Sequence, residues 1–76
     1  MKQIFKQRMT GNIVKTYGVG KVVHVDMQEQ FICFWYEYDH GVDLRTFRIV
    51  GTGHQFDGDY VGTVIDGSFV WHLIEI

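Results

Sequence analysis

Tyr60-Val-Gly-Thr-Val-Ile-Asp-Gly-Ser-Phe-Val-Trp-His-Leu-Ile-Glu75 is the stretch whose reading decides the fold. Two runs of β-branched and aromatic residues flank Asp66-Gly67, a dipeptide that favours the two-residue type I′ loop of a β-hairpin. With that loop, Ile65 opposes Ser68, Val64 opposes Phe69, Gly62 opposes Trp71 and Val61 opposes His72. A glycine facing a tryptophan lets the indole lie over bare backbone. One face then carries Tyr60, Val64, Phe69, Trp71 and Leu73, and the other Val61, Thr63, Val70, His72 and Ile74. Both faces are largely apolar, whereas an antiparallel strand with one wet face alternates. Cover on both sides is therefore expected, with a second subunit or a ligand supplying the outer one in so short a chain.

The same pattern recurs upstream in Val22–Met27 and Phe31–Tyr36. The intervening Gln28-Glu29-Gln30 contains neither Gly nor Asn, so two registers stay open. A two-residue loop at Glu29-Gln30 sets His24 opposite Trp35, and a three-residue loop sets it opposite Phe34. Helix signals are poor throughout, with nine Gly and short runs of Val, Ile, Thr, Phe, Tyr and Trp. Strands are predicted at about 3–10, 12–17, 21–27, 31–38, 43–50, 60–65 and 69–75. Six to seven short strands at this spacing imply an all-β fold, a small antiparallel barrel or sandwich, forming a single domain over residues 1–76.

At 76 residues the chain is near the lower limit for folding without staples. One cysteine, Cys33, excludes an intramolecular disulfide, so apolar burial must carry stability. A content of 46% hydrophobic and 16% aromatic residues exceeds what one small core can hide, and exposed aromatic area marks binding surfaces. The first residues lack the apolar core of a signal peptide, and no run approaches a membrane span. Net charge is −2, yet residues 1–25 carry +5 and residues 26–76 carry −7. That basic footprint is too thin for duplex nucleic acid. The opposed charges favour self-association into a homo-oligomer.

His24, His40, His54 and His72 with Cys33 match no zinc or facial-triad spacing, so no metal is expected. Gly18-Val-Gly-Lys21 and Gly51-Thr-Gly53 are not followed by the helix that a phosphate loop needs, and read as tight turns. Cys33 falls inside an apolar strand, where thiols are usually inert. No carboxylate pair is placed for acid–base work, so neither an enzyme nor a cofactor is expected. Arg45 and Arg48 flank Phe47 and point to opposite faces of one strand. Each either pairs with an acid such as Asp43, Glu37 or Glu75, or joins Trp35, Tyr36, Trp71, His54 or His72 in a ligand- or partner-binding surface.

The block Thr46-Phe-Arg-Ile-Val-Gly-Thr-Gly-His54, with Tyr60-Val-Gly-Thr-Val64 and Phe69-Val-Trp-His-Leu73, resembles a group of short uncharacterised proteins encoded by phages and prophages. Lys21–Val25 and Ile32–Trp35 are similar as well, so the likeness spans roughly residues 12–76. Members of that group often carry Asn-Gly where this chain has Glu29-Gln30, and Pro where it has Gln55. The resemblance implies a small virus-encoded accessory protein acting in the cytoplasm of a bacterial host. The expectation is a non-enzymatic binding protein that docks on a host protein. The alternatives are a sponge for a nucleotide-like signalling molecule held between subunits, and a small hydrolytic or metal-dependent enzyme built on His54 or His72.

Overall fold

The computed structural model, which describes residues 1–76, contains seven strands: β1 (Ile4–Arg8), β2 (Ile13–Thr16), β3 (Val19–Gln28), β4 (Phe31–Tyr38), β5 (Arg45–Gly51), β6 (Asp59–Asp66) and β7 (Phe69–Glu75). They form two antiparallel sheets, a three-stranded one in the order β1-β4-β3 and a four-stranded one in the order β2-β5-β7-β6. The architecture is a sandwich and not a closed barrel. Between the sheets lie Met9, Val19, Phe34, Tyr36, Phe47 and Leu73, each 5% exposed or less. The Phe34 and Phe47 rings meet at 4.6 Å across the two layers. Only 12 residues in the chain are buried, so much of the aromatic content stays at the surface, including Tyr60, Phe69 and Phe31.

The register of the central hairpin follows the shorter of the two loops considered. Gln28 pairs with Phe31 and His24 with Trp35, leaving Glu29 and Gln30 as the two loop residues. Both have positive φ, 52° and 71°, as a type I′ turn demands. Side chains rarely accept that conformation, so this turn is strained.

The last hairpin departs from expectation by one position at its tip. Asp66 pairs with Phe69, so Gly67-Ser68 is the loop. Gly67 alone has positive φ, at 59°, which is the pattern of a type II′ turn with Gly first. Gly62 consequently faces Leu73 and not Trp71, and Val64 faces Trp71. The role of Gly62 also changes. It lies under the other sheet, where an added Cβ would come within 2.6 Å of Val25 Cγ2. A bulge between Tyr60 and Gly62 then turns Tyr60 onto the face of His72.

The chain itself covers part of the outer face of the four-stranded sheet. Both β5 and β6 are antiparallel to β7, which lies between them, so β5 and β6 run parallel. Residues 52–58 must return the length of the sheet to join them. This crossover lies beside Arg48 and against the carbonyl of Glu75, where a Cβ on Gly58 would collide with the Glu75 oxygen. Beneath it Val50 and Ile74, on the outer face, are 5% and 0% exposed. On the β6 side of the same face Tyr60 and Ile65 are 60% and 70% exposed.

Candidate functional site

Arg45 and Arg48 meet different fates on β5. Arg45 Nε and Nη2 donate to the two carboxylate oxygens of Glu75 at 2.7 and 2.5 Å, a bidentate pair. Its Nη1 donates to the carbonyls of Val19 and Gly20 at 2.6 and 3.3 Å, tying the start of β3 to the opposite sheet. The hydrogen bonds from Arg45 hold the Glu75 carboxyl below its ordinary range, with burial opposing. The reciprocal bond raises the Arg45 guanidinium. Of the acids considered as partners it is Glu75 that engages, and Arg45 is committed to the fold. Arg48 is exposed, has no ion pair, and lines an open depression of ≈ 560 Å³ with His54, Gln55, Phe56 and Asp57 of the crossover.

The aromatic candidates also separate. Tyr36 is 5% exposed in the core, where burial raises its hydroxyl pKa, so it offers no ring to a partner. Trp35 projects from the outer face of the three-stranded sheet, its ring 5.5 Å from that of His24. Trp71 stacks on Phe69 at 6.1 Å and an interplanar angle of 16°. It lines a cleft of ≈ 280 Å³ at one end of the sandwich, with Met9, Met27, Phe31, Ile32 and Ile49. Two hairpin tips and the β1–β2 turn meet there.

His72 sits in a directed chain of hydrogen bonds. Thr52 Oγ1 donates to the Val70 carbonyl at 3.5 Å and accepts from His72 Nε2 at 2.8 Å. That assignment leaves Nδ1 as acceptor for the Thr63 hydroxyl at 2.9 Å, which in turn accepts from Tyr60 at 2.5 Å. His54 lies instead against Gly51, with its ring 3.2 Å from the position of a Cβ there. No hydrogen bond joins His54 to His72, and neither has a carboxylate partner. No group of three or more His, Cys, Asp or Glu side chains is arranged to hold a metal ion. Cys33 is 1% exposed but lies outside the main core, opposite Arg8 and Asp26.

Sequence reasoning did not find the Tyr60–Thr63–His72–Thr52 chain, the methionines of the end cleft, or Phe56 beside Arg48. Thr63 and His72 share a face with either loop, but they stand directly opposite each other only with the loop at Gly67-Ser68. Tyr60 further requires the bulge, which has no local signal.

The fold and these surfaces define a small all-β sandwich without an assigned chemistry. Residues 1–76 match a domain of unknown function, DUF7352, and the chain belongs to that family. No curated protein and no solved structure matches it. No helix is long and apolar enough to cross a membrane.

Proposed function

We propose that this is a non-enzymatic binding protein that docks on another protein through the aromatic end of the sandwich. The observation that carries this reading is the ≈ 280 Å³ cleft of Met9, Met27, Phe31, Ile32, Ile49 and Trp71, where Phe69, stacked on Trp71, stands 62% exposed. Methionine and aromatic side chains adapt to a partner's apolar groups, and clustered exposed apolar area is a feature of interaction sites. The likeness to phage and prophage proteins makes a bacterial host protein, such as a defence component, the natural target. The setting is then the host cytoplasm. Affinity capture from infected cells should enrich one discrete host protein with the wild-type chain. Phe69→Ser should abolish that enrichment while the circular dichroism spectrum is retained. Equal capture by the variant would remove the cleft from the interaction.

The crossover depression supports a second reading, sequestration of a nucleotide-like signalling molecule. Arg48 supplies an unpaired guanidinium there and Phe56 a ring that is 44% exposed. Cyclic and ADP-ribose-like nucleotides should then raise the melting temperature of the wild type but not of Arg48→Ala. A flat thermal-shift screen would exclude the reading. Homo-oligomerisation through the oppositely charged segments belongs to either version, and a light-scattering mass near 8.9 kDa at micromolar concentration would rule it out.

A further inference from the structure

The +5 charge of residues 1–25 is not spread over the molecule. In register, Lys6 and His24 flank Trp35, Arg8 and Asp26 flank Cys33, and Lys21 lies beside Glu37. Paired residues share a face, so Lys6, Arg8, Lys21, His24 and Trp35 all project from the outer face of the three-stranded sheet. Lys2 joins them through its 3.6 Å ion pair with Glu37. Four of the five N-terminal cations thus converge on one surface, leaving Lys15 on the other sheet.

The acids on this face are engaged. Glu37 faces Lys2, while Asp26 accepts from the Met27 amide at 2.8 Å and lies 3.4 Å from His24. Lys6 donates to the neutral Gln28 at 2.5 Å, and Lys21 has no acidic partner within ion-pair distance. The Arg8 guanidinium lies 4.3 Å over the ring of Phe31. The face therefore carries net +2 with neutral His24, in a chain whose total is −2. Two aromatic rings, Trp35 and Phe31, stand on its central strand about 13 Å apart along that strand. The cations line the strands on either side.

We propose that this face binds single-stranded nucleic acid, with Trp35 stacking on an unpaired base and Lys6, Arg8 and Lys21 meeting phosphates. Aromatic rings flanked by cations are the elements of a strand-tracking platform, because every base has a π-face and every linkage a negative charge. A duplex keeps its bases stacked on each other, and this narrow sheet face presents no element to enter a groove. The platform is separate from the docking cleft except at Phe31, which borders both.

Fluorescence anisotropy with labelled octanucleotides tests the proposal, using DNA and RNA single strands and the matching DNA duplex. Either single strand should bind more tightly than the duplex, and the preferred sugar identifies the natural source. The single-strand affinity should fall with salt at a slope of about −0.7 per phosphate contact, or roughly −2 for the three cations. Trp35→Ala should weaken binding between about 5- and 100-fold. Lys6→Gln with Lys21→Gln should reduce the salt slope by about 1.4, and both sites are exposed enough to leave folding intact. No single-strand binding by the wild type at 50 mM salt would overturn the proposal. Equal affinity for the duplex, or displacement by polyglutamate as effective as by oligonucleotide, would also overturn it and leave a generic polyanion surface. These variants do not touch Phe69, so the docking reading stands or falls independently.

Discussion

The two sheets treat their outer faces differently. The four-stranded sheet inserts β7 between β5 and β6, so the connection of residues 52–58 must cross its outside, and Val50 and Ile74 are buried beneath it. The three-stranded sheet pairs β1 and β3 on either side of β4 with no segment returning across it, and its outer face carries Lys6, Arg8, Lys21 and Trp35. Topology, rather than composition alone, therefore decides which apolar face is core and which aromatic stays available. The turns contrast as well. The four-stranded sheet places Gly67 at its positive-φ position, whereas the three-stranded sheet forces Glu29 and Gln30 into theirs.

The sharpest way to break this contrast is beneath the crossover. Ile74→Ala removes a side chain that is 0% exposed and should cost about 2–5 kcal/mol in denaturant unfolding. Lys21→Ala, on the uncovered face, should stay within about 0.5 kcal/mol. Similar losses for the two would mean that the crossover does not form a second core layer.

Glu75 holds the Arg45 guanidinium that reaches across to β3, and their pairing predicts a pH dependence. The Glu75 carboxyl is depressed in the folded protein, so the unfolded chain binds more protons between its depressed pKa and about 4.3. Its stabilisation is thus present at neutral pH and fades as pH falls through that window. Glu75→Gln should cost about 2 kcal/mol at pH 7 through loss of charge-assisted hydrogen bonds. Urea titrations from pH 7 to pH 3 should show a gap between variant and wild type that narrows with acid. A constant gap would assign the cost to packing.

The smallest change tests the strained turn. Glu29→Asn with Gln30→Gly supplies residues that accept positive φ at both positions and should stabilise the fold by about 1 kcal/mol. Thermal unfolding would reveal it. No gain would show that Glu29 and Gln30 make compensating interactions.

Much of the framework was legible because strand signals are local. Phe31–Tyr38 and Phe69–Glu75 coincide with their predicted limits, and Arg45 and Arg48 fall on opposite faces by parity alone. Hairpin tips were harder. Asp66-Gly67 and Gly67-Ser68 are both favourable loops, and the choice depends on Gly62 packing beneath Val25 in the other sheet. The crossover was invisible, since residues 51–59 have no hydrophobic period and the insertion of β7 is a long-range event. The candidate site dispersed for a related reason: sequence proximity of Arg45, Arg48 and Trp35 says nothing about which layer each occupies. The pairing of His24 with Trp35 follows from the two-residue loop, one of the two that the sequence left open.

The insertion of β7 has a temporal consequence. All three strands of the smaller sheet lie within residues 4–38, so that layer can pair before the second half of the chain has folded. The larger sheet closes last, because β5 and β6 have no shared partner until residues 69–75 pair between them. A chain truncated before β7 would display the inner face of the smaller layer, Phe34 and Tyr36 included, without its full cover.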